Sequence, residues 1–278
     1  MSHQPGEGGG GPARARITAP MIVELKRRGE LVTMLTAYDA PTARRADAAG
    51  VEIILVGDSL GTVLLGHDTT LPVTMEEMLH HTRAVTRARP SAMVVADMPF
   101  MSYPPSVETA LRNAGRFVQE AGADGVKLEG GERVADTVRR LVQSGIPVMG
   151  HLGLTPQSVL TMGGYKVQAR AESEQERLVR EALLLEECGC FSIVLEGIPA
   201  RLGADASRAL KIPTIGIGAG PGCDGQVLVS NDLLGLTLGH RPKFVRLYAD
   251  LGDETLRAFE RYVADVKSRR FPSDAESY

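Results

Sequence analysis

Four acidic residues each follow a short hydrophobic run, and the runs recur at the spacing of a strand-and-helix repeat. Asp58, Asp97, Glu129 and Glu196 stand in the segments IILVGDS, MVVADMP, GVKLEGG and SIVLEGI. Runs of Val, Ile and Leu bounded by Gly or Pro are typical of strands that are buried on both faces. Carboxylates at the ends of such strands are costly to bury unless a cation lies among them. The pattern predicts a divalent-metal enzyme.

Asp58 and Asp97 end successive runs and are the first candidates for metal ligands. An Asp in this position can also be the N-cap of a helix. Neither residue is followed at once by a helical pattern, because SLGTVLLGHDTTLPVT follows the first and MPFMSYPPS follows the second. Long loops that contain Gly or Pro resemble active-site loops more than tight caps. We therefore favour the ligand role for both.

Lys127 and Glu129 alternate in VKLEG and must face the same side of a strand. A buried Lys beside a Glu is tolerable near a metal and an anionic substrate, and a purely structural Lys–Glu pair is the alternative. Oxygen ligands without Cys favour Mg²⁺ over zinc. Such a metal can chelate a 2-oxo acid and, as a Lewis acid, stabilise its enolate.

Glu196 is the candidate general base, because it follows an apolar run, and a carboxyl group in an apolar setting has a raised pKa that suits proton transfer. Its alternatives are a further metal ligand or a helix cap. His151 in MGHLG also stands at a strand end. A lone His there satisfies a hydrogen bond as often as it does chemistry, so it is a second-rank candidate.

The bulk composition excludes several classes of protein. A net charge of −3 gives no general attraction to nucleic acid or to an anionic membrane. Three cysteines without paired spacing indicate a reducing compartment. No apolar stretch approaches the roughly 20 residues of a membrane span, and the N-terminus lacks the apolar centre of a signal peptide. We expect a cytoplasmic protein.

The chain divides into a Gly-rich N-terminal arm expected to be disordered (1–15), one catalytic domain (16–268) and a flexible C-terminal tail (269–278). Within the domain, helical patterns alternate with candidate strands at 32–38, 53–59, 93–99, 125–130, 147–153, 192–198, 213–220 and 243–249. This alternation predicts a (β/α)8 TIM barrel, in which the carboxyl ends of the strands carry the active site. An open doubly wound sheet is the alternative, but the Gly-rich signature after its first strand is absent.

Seven segments together resemble the ketopantoate hydroxymethyltransferase family, in order from about residue 18 to 250. They are MLTAYD (34–39), LVGDSLG (55–61), GHDTTLPVT (66–74), VVADMPF (94–100), VKLEGG (126–131), GHLGLTPQS (150–158) and IGIGAGPGCDGQVLV (215–229). The resemblance implies a (β/α)8 barrel with one Mg²⁺ per subunit in a homo-oligomer, typically a decamer.

The resemblance also implies a role for each candidate residue. Asp58 and Asp97 would bind Mg²⁺ directly, with Glu129 assisting through water. Asp58, Ser59, Asp97 and Lys127 would hold the oxo acid, and Glu196 would accept a proton. The role of His151 stays open.

The implied reaction transfers a hydroxymethyl group from 5,10-methylenetetrahydrofolate to 3-methyl-2-oxobutanoate through a Mg²⁺-stabilised enolate. The product is 2-dehydropantoate, a precursor in pantothenate biosynthesis. The residues alone predict only the Mg²⁺-dependent enolisation of an oxo acid, so the donor and the acceptor come from the resemblance. Small-molecule substrates are the expected partners, with no nucleic acid and no membrane.

Two alternatives remain open. An oxo-acid lyase or mutase of the phosphoenolpyruvate mutase and isocitrate lyase type would share the barrel, the metal and the enolate, but typically carries a Cys-bearing loop after a central strand. A catalytically silent, metabolite-binding barrel would be expected to have lost a ligand or the base.

Overall fold

Eight parallel strands form a closed barrel in the computed structural model, which describes residues 14–239 and 241–278. Each strand pairs with the next, and the first pairs with the last, which closes the barrel. The strands are β1 (Val32–Thr36), β2 (Ile53–Val56), β3 (Met93–Asp97), β4 (Gly125–Glu129), β5 (Val148–Gly153), β6 (Ser192–Glu196), β7 (Thr214–Ile217) and β8 (Gly225–Leu228). The predicted (β/α)8 fold is confirmed.

Helices lie before, between and after the strands. They are α1 (Ala19–Arg27), α2 (Ala40–Ala48), α3 (Leu60–Val63), α4 (Met75–Thr86), α5 (Val107–Gln119), α6 (Ala135–Gln143), α7 (Val159–Met162), α8 (Glu172–Glu187), α9 (Ala200–Ala209), α10 (Ser230–Leu233) and α11 (Leu251–Lys267). Short 3₁₀ turns cover Glu132–Val134, Pro156–Ser158 and Asp274–Glu276. Thr74 and Glu77 form a capping box at the start of α4, because each side chain bonds the other's backbone N–H.

Alternate residues of each strand point into the barrel, and those in its lower part are apolar. Met34, Ile53, Met93 and Met149 are at most 1% exposed and pack together there. The other face of the strands packs against the helices in a second, larger apolar cluster. Because the strands are buried on both faces, they show continuous hydrophobic runs instead of a clean alternation. Polar inward residues are thus displaced to the carboxyl ends of the strands, where the site lies.

The prediction of an eighth strand at 243–249 is wrong. The barrel is closed by β8 at Gly225–Leu228, which pairs with β1 from Val32 to Leu35. Residues 243–249 instead contain turns and bends ahead of α11. Their β-branched and aromatic side chains (Phe244, Val245 and Tyr248) suit a strand locally, but the hydrogen-bonding edge of β1 is already taken by the earlier segment.

The structure describes only the end of the predicted N-terminal arm but all of the predicted C-terminal tail. The arm at 1–15 lies outside the described residues except for its last two, of which Arg14 donates a hydrogen bond to Val51 O at 2.9 Å. The tail at 269–278 is exposed and includes the turn at Asp274–Glu276. In the part of the chain that the structure describes, no helix is long and apolar enough to cross a membrane.

Candidate active site

Five of the candidate side chains stand at inward positions of neighbouring strands. Asp97, Lys127, Glu129 and His151 are at most 5% exposed, and Glu196 is partly buried at the end of β6. Each occupies the same alternating, inward-facing set of strand positions as the apolar residues below it in the barrel. In β3, for example, Asp97 comes two residues after Val95 and four after Met93, which both face inward. The same alternation that builds the apolar interior therefore brings these groups together at the C-terminal mouth.

Sheet register sets the two main contacts of the cluster. Asp97 of β3 is in register with Lys127 of β4, and the atoms Oδ1 and Nζ lie 2.6 Å apart. Glu129 of β4 is in register with His151 of β5, with Oε1 and Nδ1 3.5 Å apart. Lys127 Nζ also lies 3.3 Å from His151 Nδ1. Lys127 and Glu129 thus form two pairs across adjacent strands instead of the structural Lys–Glu pair that was the alternative.

Asp58 lies one residue beyond inward-facing Gly57. Its backbone N–H donates a hydrogen bond to Asp97 Oδ2 at 3.1 Å, so the two candidate ligands are directly joined. A Cβ atom at Gly57 would lie 2.8 Å from Ser59 Oγ and 3.4 Å from Asp97 Oδ2. Glycine at position 57 therefore permits the close approach of the β2 end to Asp97.

The cluster carries more negative charge than its one lysine balances. Burial, followed by repulsion from Asp97 and Glu129, raises the pKa of Asp58 to about 8. Burial also raises the pKa of Asp97, although the Lys127 ammonium opposes that shift. Burial alone lowers the pKa of Lys127, but the carboxylates of Asp97, Glu129 and Asp58 outweigh it and raise the pKa, so the side chain stays cationic.

Glu196 faces the imidazole of His151. Glu196 Oε2 lies 3.2 Å from His151 Nε2, without hydrogen-bond geometry. Burial and the Lys127 ammonium lower the pKa of His151, but its contacts with Glu129 and Glu196 outweigh them and raise it to about 9. The prediction of an apolar setting for Glu196 is therefore wrong, because the imidazole of His151 adjoins its carboxylate. His151 lies inside the cluster.

Ser59 lies at the edge of the cluster, directly after Asp58. Its Oγ is 2.9 Å from the hydroxyl of Tyr38, which stands beyond the end of β1. Burial raises the pKa of Tyr38, so the phenol keeps its proton. The position of Ser59 is compatible with the predicted contact to an anionic substrate.

Gln157 and Tyr103 belong to the site and were not among the sequence candidates. Gln157 donates hydrogen bonds to Asp58 Oδ2 from its side chain and to Glu129 Oε2 from its backbone. The Tyr103 hydroxyl lies 2.8 Å from Gln157 Oε1. Neither residue ends a strand. The only available signal was the position of Gln157 in the motif GHLGLTPQS.

The donor atoms fit a small hard cation. Among residues 14–239 and 241–278, no three His, Cys, Asp or Glu side chains are arranged as a complete metal site. Asp58 and Asp97 nevertheless adjoin each other, and Asp58 Oδ1 accepts no hydrogen bond from any described residue. Mg²⁺ usually binds through one or two carboxylates and fills its remaining positions with water and substrate. This cluster supplies that kind of donor set.

A cavity of about 540 Å³ lies beside the mouth and not over the cluster. It is lined by residues that include Gly131, Arg133, Thr155, Arg177 and Glu181, between the loops after β4 and β5 and the helix α8. A smaller cavity of about 280 Å³ borders the cluster through Gln157 and Tyr103. The chemistry is therefore located by the convergent charges and not by cavity size.

A closed (β/α)8 barrel with charged groups converging at the carboxyl ends of its strands defines a barrel enzyme. Comparison with known proteins shows to which family of barrel enzymes the chain belongs. The sequence profile described as ketopantoate hydroxymethyltransferase matches residues 16–274. The chain belongs to the ketopantoate hydroxymethyltransferase family, which confirms the resemblance seen in its motifs.

Curated relatives match nearly end to end. The chain is 56% identical over 265 residues to 3-methyl-2-oxobutanoate hydroxymethyltransferase of Moorella thermoacetica, with 95% of this chain and 98% of the relative covered. It is 56% identical over 263 residues to the enzyme of the same name from Syntrophus aciditrophicus, with 95% and 97% covered.

Solved structures with a similar fold include 2,3-dimethylmalate lyase, a member of the phosphoenolpyruvate mutase/isocitrate lyase superfamily. Its TM-score is 0.58 at 16% identity, with 94% of this chain and 91% of that chain covered. Phosphoenolpyruvate phosphomutase from Streptomyces platensis subsp. rosaceus gives a TM-score of 0.59 at 15% identity, with 90% and 88% covered. At this identity the likeness shows the barrel alone. It does not favour the lyase or mutase alternative.

Proposed function

We propose that this chain transfers a hydroxymethyl group from 5,10-methylenetetrahydrofolate to 3-methyl-2-oxobutanoate, giving 2-dehydropantoate, with one Mg²⁺ per subunit. The family and the names of its relatives support the choice of acceptor and of transferred group. The observation that carries the chemistry is the adjoining pair Asp58 and Asp97, buried beside Lys127 at the barrel mouth with Glu196 facing the same space.

Asp58 and Asp97 would hold the Mg²⁺ directly, and Glu129 would assist through water. When bound, the metal would act as a Lewis acid toward the carboxylate and keto oxygens of the oxo acid and acidify the neighbouring C–H bond. Lys127 stays cationic and offers an ammonium to the substrate, while its bond to Asp97 fixes where that ammonium lies. Ser59 Oγ, held by Tyr38, offers a hydroxyl at the edge of the same space.

Glu196 is the proposed proton acceptor. It would take the proton from C3 of the oxo acid, and the electron pair of that C–H bond would form the new C–C bond to the methylene carbon of the donor. As that bond forms, one of the two bonds between the methylene carbon and the folate nitrogens would break. Water would then add its oxygen to the same carbon as the second carbon–nitrogen bond breaks. The proton from C3 and the proton released by the water would end on the two folate nitrogens, and tetrahydrofolate would leave. The imidazolium of His151 adjoins the Glu196 carboxylate and would orient it before the proton transfer.

The test is deuterium exchange at C3 of 3-methyl-2-oxobutanoate in D₂O, followed by proton NMR, with Mg²⁺ or EDTA and with or without tetrahydrofolate. We expect Mg²⁺-dependent exchange, and formation of 2-dehydropantoate once the methylene donor is added. Exchange without transfer would remove the folate half of the proposal. Binding of the oxo acid without exchange or turnover would identify a silent barrel. Cleavage of an oxo acid without folate would identify a lyase.

We further propose that the chain is a homo-oligomer, with ten copies expected by analogy with its family. Helix α11 buries none of its residues against the described chain. It exposes Leu256 to 57%, Phe259 to 65% and Val263 to 45%, which supports association through this helix. Sedimentation velocity of the full chain measures the number of copies, and a monomer at micromolar concentration would refute the proposal.

We propose a cytoplasmic location. All three cysteines, Cys188, Cys190 and Cys223, are free and buried, which supports a compartment where thiols stay reduced. Fractionation of the native host with an antibody to the full chain tests this.

A further inference from the structure

Gln157 touches two of the three carboxylates proposed to serve the metal. It lies in the 3₁₀ turn Pro156–Ser158 after β5, and its backbone N–H donates to Glu129 Oε2 at 3.1 Å. Its side-chain Nε2 donates to Asp58 Oδ2 at 2.9 Å. One residue therefore ties the end of β2 to the end of β4, across the strand that carries Asp97.

Every hydrogen-bonding atom of the Gln157 amide group is used. The second Nε2 hydrogen goes to Met98 O at 2.9 Å, and Oε1 accepts from the Tyr103 hydroxyl at 2.8 Å. The side chain is 7% exposed, so water does not compete strongly for these bonds. A fully bonded, buried amide has one favourable orientation.

Tyr103 contacts the Oε1 end of the Gln157 amide, opposite the end that faces Asp58. Its hydroxyl donates to Gln157 Oε1 and accepts from the backbone N–H of Glu129 at 3.3 Å. A flipped Gln157 amide would turn its Oε1 toward the Asp58 carboxylate and leave its Nε2 facing Tyr103. That orientation would place Oε1 against two acceptors, Asp58 Oδ2 and Met98 O, so these acceptors fix the orientation of the amide and the Tyr103 hydroxyl holds its Oε1 end.

We propose that Gln157, with Tyr103 acting through it, is a positioning residue that orients the carboxylates of Asp58 and Glu129 for the divalent cation. The amide holds Asp58 Oδ2, and the backbone N–H of Asp58 bonds Asp97 Oδ2, so Gln157 fixes one carboxylate oxygen of a residue that is itself tied to Asp97. Hydrogen bonds to ligating carboxylates generally tune metal affinity in this way. The inference rests on the proposed function, because it takes Asp58 to be a ligand of the metal.

The experiment measures Mn²⁺ binding to the metal-free, full-length protein by electron paramagnetic resonance, without substrate. Gln157→Met keeps the side chain's length but removes its hydrogen bonds. We expect it to raise the Kd for Mn²⁺ by roughly 10–100-fold. Tyr103→Phe removes only the hydroxyl and should raise the Kd by about 3–10-fold. Because Tyr103 acts through Gln157, the double variant should bind no more weakly than Gln157→Met alone.

Gln175→Met is the matched control. Gln175 lies on α8, and its amide bonds only Arg170 O among the described residues, so its Kd should equal that of the wild type. Urea denaturation of each metal-free variant measures the structural cost separately, and a purely structural role would lower stability without changing the Kd. If Gln157→Met does not fold, Tyr103→Phe alone decides.

The experiment distinguishes a failure of the proposed function from a failure of the positioning role alone. A wild-type protein that binds no Mn²⁺ and shows no exchange at C3 would refute the metal site and the proposed function together. A wild type that binds Mn²⁺, with both variants binding equally well, would overturn only the positioning role of Gln157 and Tyr103.

Discussion

His151 Nε2 lies 3.2 Å from Glu196 Oε2, although the two residues are not opposite each other in the sheet. In the register of β5 and β6, His151 is paired with Val194, and Glu196 is paired with Gly153. The imidazole of His151 thus extends past Val194, its partner in the sheet, to the next inward-facing residue of β6, which is Glu196. Its other nitrogen lies near Glu129 and Lys127. The proposed base is therefore connected to the carboxylate cluster through one ring.

Removing the proposed base should separate substrate binding from proton transfer. Glu196→Gln keeps the shape of the side chain but cannot accept the proton from C3. We expect near-normal binding of 3-methyl-2-oxobutanoate and a loss of exchange in D₂O of about 10²–10⁴-fold. Glu187→Gln, an exposed position at the end of α8, is the control. Wild-type exchange rates in Glu196→Gln would move the base elsewhere, with His151 the next residue to test.

Asp97 has a structural and a chemical role that mutation can separate. Asp97→Ala should abolish Mg²⁺-dependent binding of the oxo acid and also destabilise the fold by roughly 3–5 kcal/mol, because it leaves the buried Lys127 ammonium without its 2.6 Å partner. The double variant Asp97→Ala/Lys127→Met should recover much of the free energy of unfolding but none of the metal binding. Urea denaturation and calorimetric titration measure the two effects. Unchanged substrate affinity with Mg²⁺ in Asp97→Ala would remove Asp97 from the ligands.

Metal binding should weaken as the pH falls. The pKa of Asp58 is raised to about 8 in the metal-free protein, so below that pH a proton occupies the group that the metal needs as a carboxylate. We expect the Kd for Mn²⁺ to rise by up to about tenfold for each pH unit below 8, and to level off above it. Titrations at pH 6, 7, 8 and 9 in constant salt measure this. A Kd that is independent of pH over this range would contradict the buried carboxylate pair.

His151 should make folding stability depend on pH in the alkaline range. Its folded pKa of about 9 lies above the ordinary histidine pKa of 6.5. The stabilisation is therefore fully present below about pH 6.5 and is lost as the pH rises through about 9. In EDTA, the wild type should lose on the order of 3 kcal/mol between these limits that His151→Gln does not lose. Equal slopes of unfolding free energy against pH in both proteins would show that the ring is not held as a cation.

The reactive side chains at the strand ends could be predicted from the sequence because successive side chains of a strand point to opposite faces of the sheet. Lys127 and Glu129 share a face for that reason, and the structure confirms that both enter the cluster. Which strand neighbour each would contact depends on register, and register depends on hydrogen bonding along whole strands. A local sequence pattern therefore could not predict that Lys127 would contact Asp97 or that Glu129 would contact His151.

Other parts of the site depend on tertiary contacts alone. Gln157 reaches Asp58 across 99 positions of sequence, and Tyr103 reaches Gln157 across 54. Neither contact leaves a periodic signal. The short strand Gly225–Leu228 was missed for a related reason, because four residues that include Gly and Gln carry little strand preference. It is a strand because β1 and β7 hold it from both sides.

The apolar lower half of the barrel, where Met34, Met93 and Met149 are almost fully buried, has a consequence for kinetics. Ligands reach the carboxylate cluster from the C-terminal mouth, so the molecule that binds deepest must enter first and leave last. On the proposed assignment, the oxo acid lies against Asp58 and Asp97, and the larger folate approaches over it. On that assignment we expect a compulsory order of events, in which tetrahydrofolate departs before 2-dehydropantoate and only 2-dehydropantoate competes directly with the oxo acid for free enzyme.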